Sequence, residues 1–197
     1  HSQGIIGVHA VVNPQEALAI AILMGTAASV VHGASDSRAH MLSVRGLDKG
    51  DVEKHVQGDA AVTVINGRRA IVISGTPADL EATEAAIQTY ADRHNTALEA
   101  AEFGGSELHP RFDYLPVALP FHHASLAKAA DLTVEYAKQC GLDEATAREL
   151  ADAVLVNQHD WVSTVAGLDA TYLLSLDAGT ARLTQPLLVG TSKVIVP

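Results

Sequence analysis

Ala61-Val62-Thr63-Val64-Ile65-Asn66-Gly67-Arg68-Arg69-Ala70-Ile71-Val72-Ile73-Ser74 reads as a β-hairpin. β-Branched residues fill both arms, and their stiff side chains suit a pleated surface. Asn66-Gly67 between the arms is a strong turn signal. On the N-terminal side, Met41-Leu42-Ser43-Val44 reads as a strand and residues 48–56 as a short charged helix. On the C-terminal side, residues 77–94 are rich in Ala and Glu and read as a helix, and residues 114–119 as a strand. Strand, helix, strand, strand, helix, strand is the split βαβ, ferredoxin-like order. The sequence therefore predicts a compact subdomain over 41–119, inserted into a larger α/β unit made of 1–40 and 120–197.

That larger unit begins with two helices. Residues 4–12 are short and apolar, Asn13-Pro14 breaks them, and Pro14 can open a second helix over 15–31. The second helix is apolar nearly all round, which predicts a buried element, with Gly33 as its C-cap. After Pro120, helices are expected over 125–140 and 143–153, and a short one over 161–165. A strand over 171–176, a turn at 177–179, a helix over 180–188 and a strand over 193–196 complete the chain. Strands alternating with helices predict a parallel or mixed sheet covered by helices.

Composition bounds the partners. The formal net charge is −10, which argues against a nucleic-acid groove or an anionic membrane surface. No apolar stretch reads as a clean membrane span, and residues 15–31, the nearest, suit a buried soluble helix. The single cysteine, Cys140, excludes an internal disulfide and fits a reducing compartment such as the cytoplasm. Aromatics are only 4%, so Ala, Val, Leu and Ile must build the core.

Two short stretches carry chemistry. The chain opens His1-Ser2-Gln3-Gly4 ahead of an apolar helix. A Ser flanked by small residues just before a helix is the core of a nucleophile elbow, G-x-S-x-G, with the second glycine present as Gly4. Such a serine needs a base and oxyanion donors. His122-His123, among ten histidines, follows a predicted strand and a proline and precedes a helix. A loop at a strand end is where α/β folds place functional groups. Asp160, just before Trp161, reads either as a group that orients the base or as an N-cap. The histidines show no metal-ligand spacing, so no metal site is expected.

Taken together, His1-Ser2-Gln3-Gly4, the run Leu115-Pro116-Val117-Ala118-Leu119-Pro120-Phe121-His122, and Leu174-Ser175-Leu176-Asp177-Ala178-Gly179 resemble the acyltransferase domains of fatty acid and polyketide synthases. More narrowly, the chain is similar to the acetyltransferase domain of type I fatty acid synthases. The resemblance spans nearly all of residues 1–197. It implies an α/β-hydrolase-like acyltransferase core with the ferredoxin-like insert, of which this chain is the C-terminal part. It implies Ser2 as the acylated nucleophile, His122 as general base and acid, the Gln3 N–H as an oxyanion donor, and Asp160 near the carbonyl that steadies the histidine. Met24, Gly25, Asn66 and Phe121 would approach the substrate pocket. Acetyl-CoA would be the donor, with no metal or redox cofactor. The phosphopantetheine of an acyl carrier protein would be the acceptor, inside an oligomeric multienzyme. Relatives that transfer malonyl hold its carboxylate with an Arg in the second helix. Residues 15–31 contain neither Arg nor Lys, which points to a neutral acyl group. The competing readings are a malonyl or palmitoyl transferase of the same fold, a serine hydrolase or thioesterase, and an inactive structural fragment.

Overall fold

The structure is a computed structural model and describes residues 4–33, 38–101, 105–174, 182 and 184–196. Its elements in chain order are α1 (Gly4–Val12), α2 (Pro14–His32), β1 (Met41–Arg45), α3 (Lys49–Glu53), β2 (Ala61–Gly67), β3 (Ala70–Ser74), α4 (Pro77–Ala100), β4 (Arg111–Tyr114), α5 (Ala127–Gln139), α6 (Glu144–Ala151), β5 (His159–Asp160), α7 (Trp161–Gly167), β6 (Tyr172–Leu174) and β7 (Val194–Val196). A five-residue π-helical turn, Asp152–Val156, continues α6.

The mixed α/β class is as expected, and the split βαβ order is realised. The main sheet runs β4-β1-β3-β2-β5, with the first four strands antiparallel. Alternation along the strands makes two faces. One carries Leu42, Val44, Ile71 and Ile73 against Leu80 and Ile87 of α4. The other carries Met41, Val64 and Val72 against Leu115, Val117 and Phe121. A separate, helical core joins Ile20, Met24, Ala27 and Ala28 of α2 to Leu126, Ala129, Ala130, Leu150 and Leu155. Phe121 packs against both this core and the second sheet face.

Several boundaries differ from the sequence reading. The hairpin turn is Arg68-Arg69, because Gly67 pairs with Ala70 and the ladder shifts by one residue between Ile65 and Gly67. Asn66 is the extra residue of that irregularity, so the Asn-Gly pair ends the strand rather than forming the turn. The last strand of the split βαβ is 111–114, not 114–119. Pro116 and Pro120 have no N–H to offer a ladder. Just beyond Tyr114 the chain is tied by single bonds, from Leu115 N–H to the Met41 carbonyl (3.0 Å) and from His40 N–H to the Val117 carbonyl (3.0 Å). The expected turn at 177–179 lies outside the described residues. β6 pairs in parallel with β7.

The second helix is not buried all round. Pro14 opens it, the Asn13 side chain accepts from the Glu16 N–H, and Gly33 (φ 78°) closes it, all as its sequence suggests. Ala17, Ile20, Met24, Ala27 and Ala28 face the core, whereas Leu18, Ile22 and Val30 are exposed. Its length and mean hydropathy of 1.4 meet the requirement for a membrane span by length and composition alone, and one face of it packs against α5 and α6.

One element was invisible beforehand. His159-Asp160 forms a short parallel strand on the edge of β2, His159 opposite Val64 and Asp160 opposite Ile65. Gln158 reinforces it by donating from Nε2 to the Val62 carbonyl at 2.6 Å.

Candidate active site

Phe121-His122-His123 lies where the helical core meets the second sheet face, and every residue of it is held. Ser74, fully buried on β3, donates from Oγ to the Phe121 carbonyl at 2.8 Å. The Thr63 hydroxyl stands 2.7 Å behind it. Since the Ser74 proton is committed to Phe121, Thr63 is the donor in that pair. His123 donates its N–H to the Leu155 carbonyl at 3.0 Å. Its ring takes up the N-cap role: Nδ1 accepts from the Ser125 N–H and Nε2 donates to the Asp59 carbonyl at 2.8 Å. Both ring nitrogens of His123 are thus used structurally.

His122 differs. It is 3% exposed, and it is the only non-glycine residue with positive φ among the described residues, at 61°. A histidine in the left-handed region costs on the order of 1–3 kcal/mol, which the surrounding bonds offset. Its Nδ1 lies 3.0 Å from the Asn157 carbonyl. A carbonyl can only accept, so Nδ1 carries the hydrogen and Nε2 carries the lone pair. Burial pushes the imidazole pKa down, while the bonds to the Asn157 and Ala153 carbonyls pull it up; burial prevails. The ring is therefore neutral near pH 7, in the tautomer of a general base.

The π turn and its C-cap residue, Asn157, supply the carbonyls that hold His123 and His122. Asn157 N–H bonds to the Asp152 carbonyl at 2.8 Å, and the widened turn presents the Leu155 and Asn157 oxygens toward His123 and His122. Single π turns inside helices recur at functional sites. Asp160 does not hold the base. Its carboxylate caps α7, accepting from the Ser163 N–H at 2.9 Å and the Ser163 hydroxyl at 2.8 Å, and its carbonyl accepts from Thr164. The capping alternative is therefore the observed one, and the Asn157 carbonyl is the orienting group.

His159 adds a second imidazole. Its ring centroid is 6.2 Å from that of His122 and 6.2 Å from the Trp161 ring, on which it stacks. The start of α1 reaches the same place, since Gly4 and Ile5 line a cavity with Ala153, His159 and Trp161. Ser2 and Gln3 themselves lie outside the described residues. Met24, Gly25 and Phe121 come together in a cavity of about 410 Å³, with Gly7, Val154 and Leu155 in its wall and no charged group lining it among the described residues. Gly25 faces open space. Asn66 stands elsewhere, in a different cleft beside Arg68 and Arg69. The hydrogen-bonded groups Thr63, Ser74 and Asn157, and the imidazole of His159, escaped the sequence reading.

Ser74 offers a direct test of how the loop is held. Ser74→Ala leaves the Phe121 carbonyl without its donor and the Thr63 hydroxyl with only its longer bond to the Val72 carbonyl (3.4 Å), a cost of about 1–3 kcal/mol in stability. Below the melting transition of the variant we expect kcat/KM to fall about tenfold as His122 loses its setting. Unchanged kcat/KM would restrict Ser74 to a structural role.

Comparison with known proteins places this geometry. Residues 31–114 match the family described as the fatty acid synthase central AT domain. Among solved structures, the chain is similar to the acyltransferase domain of an iterative polyketide synthase of enediyne biosynthesis (22% identity, TM-score 0.63, 93% of this chain and 48% of that one). It is similar to a malonyl-transacylase solved with a type II polyketide acyl carrier protein (18%, TM-score 0.69, 93% and 62%). It is also similar to an acyl carrier protein S-malonyltransferase from Vibrio cholerae O1 (17%, TM-score 0.68, 93% and 63%). The chain thus has the acyltransferase fold, and it spans about half to just under two thirds of the length of these structures. The resemblance to type I fatty acid synthase acyltransferases fits the matched family.

Proposed function

We propose, from the premise that the chain has the fold of the acyltransferases of fatty acid and polyketide synthesis, that it transfers an acetyl starter group from acetyl-CoA to an acyl carrier protein. The observation that carries this reading is His122: buried, in a left-handed backbone conformation, with Nδ1 fixed on the Asn157 carbonyl. A neutral imidazole so oriented can take a proton at Nε2 and return it.

The steps follow from that atom. Ser2 Oγ attacks the thioester carbonyl as its proton passes to His122 Nε2. The tetrahedral intermediate collapses, the C–S bond breaks, and the CoA thiolate leaves with that proton. The carrier's phosphopantetheine thiol then gives its proton to Nε2 and attacks the acetyl-Ser2 ester. Ser2 Oγ departs and recovers the proton. The Nδ1 hydrogen stays on the Asn157 carbonyl and stabilises each transient imidazolium. The Gln3 N–H, the residue after the nucleophile, serves as an oxyanion donor. No step calls for a metal or redox group.

The uncharged cavity around Met24, Gly25 and Phe121 supports a neutral cargo. The choice of acetyl over longer neutral groups rests on the narrower sequence resemblance. Radiolabelled acetyl-CoA is expected to label the wild-type chain and leave Ser2→Ala unlabelled. Label retained on Ser2→Ala would overturn the nucleophile assignment. Fast release of free acetate without carrier would favour the hydrolase reading.

A further inference from the structure

His159 is a second imidazole beside His122 and takes no part in the proton transfers above. Its backbone is pinned. His159 pairs with Val64 of β2, and Gln158 next to it donates to the Val62 carbonyl at 2.6 Å. The ring that projects from this edge lies 6.2 Å from the His122 ring, centroid to centroid, with 37° between the planes. It also stacks on Trp161 at 6.2 Å and 29°.

The two rings differ in what they offer a proton. His122 is 3% exposed, and its Nδ1 hydrogen is committed to the Asn157 carbonyl, so a charge there is held in a nearly dry setting. His159 is only partly buried. The π face of Trp161 attracts a cation. Burial holds the His159 imidazole below its ordinary range, the terminal amino group and His122 act in the same direction, and Asp160 acts against them. The elements packed around the pair add few other charges. β2 and α7 carry no titratable side chain. His9 of α1 is bonded to Glu16 at 3.2 Å, and Asp152 of the π turn to Arg148 at 3.3 Å. Lys49 of α3 acts on Asp160 and pairs with Glu53 at 3.3 Å. His123 has both ring nitrogens engaged.

We propose that His159 is a positioning residue for His122: as the medium turns acid it takes the site's first proton and, by its charge, keeps His122 in the basic form. This deepens the proposed acyl transfer and rests on that reading for the use made of the basic form, not for the coupling of the two rings. Two positive charges this close repel appreciably in a half-buried setting, so the pair fills in two steps. The more exposed ring, with Trp161 and Asp160 beside it, is the one that fills first. The consequence is a base that stays competent at more acid pH than its burial alone would provide.

An NMR titration of the 197-residue chain carrying isotope-labelled histidine reads both rings without any acyl donor. The His122 signals are identified by their loss in His122→Asn, and those of His159 by their loss in His159→Gln. In the wild type we expect His159 to titrate at the higher apparent pKa. His159→Gln, hydrophilic and neutral at every pH, should move the His122 midpoint up by about half a pH unit. His159→Lys, which restores a cation, should leave that midpoint at or below its wild-type value. Both variants remove the Trp161 stack, so lost packing cannot produce the contrast, and the terminal amino group is common to all three proteins. The acid limb of kcat/KM for acetyl transfer, each protein normalised to its own alkaline plateau, should shift with the same sign. A His122 midpoint unmoved or lowered in His159→Gln would overturn the proposal. So would an equal rise in both variants, or a wild type in which His122 fills before His159. Coupled midpoints in a chain that never labels with acetyl-CoA would leave the pair standing and remove the acetyl-transfer reading. Acetyl labelling with a His122 midpoint indifferent to His159→Gln would do the reverse.

Discussion

His122→Asn is expected to lower kcat/KM for acetyl transfer on the order of 10³-fold, within the 10²–10⁴ that general-base catalysis contributes. Asparagine is chosen because it tolerates the left-handed backbone that His122 adopts at φ 61°. The Phe121 and His123 tethers are untouched by the change, so melting behaviour should stay close to wild type. A loss smaller than tenfold would remove His122 as the base. The wild-type pH profile supplies an independent check. Burial holds the His122 pKa below 6.5, and only the neutral ring can accept the Ser2 proton. The acid limb of kcat/KM should therefore have its midpoint below pH 6.5, and His122→Asn should abolish that limb. The same shift bears on stability. In the unfolded chain the imidazole takes a proton at its ordinary pKa, whereas the folded site resists it. Stability therefore falls as pH drops below the ordinary value and levels off beneath the depressed one.

The second large effect concerns cargo. Met24 is nearly buried and lines the uncharged cavity with Gly25 and Phe121. A malonyl carboxylate placed there would meet no cationic partner among the described lining residues, and an unpaired buried charge costs several kcal/mol. Acetyl-CoA should therefore label the wild-type chain at least about 10²-fold faster than malonyl-CoA. Met24→Arg provides a guanidinium in a space of about 410 Å³ that opens at Gly25. We expect it to raise malonyl labelling and depress acetyl labelling, with the preference shifting by about two orders of magnitude. Equal labelling of the wild type by both donors would defeat the neutral-cargo argument. A competition between the two thioesters, with thermal melting of both proteins alongside, reads the result directly.

Much of the fold was legible because it rests on side-chain pattern. The β-branched arms of the hairpin, the Ala-rich α4 and the Pro14 and Gly33 helix boundaries all declare themselves in residue type. What escaped rests on the main chain. The Asn157 group that orients His122 is a carbonyl, which every residue has, and no composition marks a π turn. β5 is two residues long, without a β-branched side chain, so its pairing with β2 leaves no periodicity to read. The boundary error at β4 had a visible cause in Pro116. The helix cap of Asp160 was weighed from the sequence and proved to be its role. Exposure of Leu18, Ile22 and Val30 could not be inferred from α2 alone, because amphipathic pattern is weak where nearly every residue is apolar.

The short pairing of β5 on β2 bears on modularity. The stretch 41–119 looks like an insertion that could be excised by joining residue 40 to residue 120. Yet β2 is the edge on which His159 and Asp160 rest, and the residue two positions earlier gives its carbonyl to His122. Asp59 and Ser74, from the same stretch, hold His123 and Phe121. Removing that stretch would take away the platform under the Phe121-His122-His123 loop. The stretch is thus as much a component of the scaffold that holds His122 as the helices around it, and simple loss of it would take that setting away.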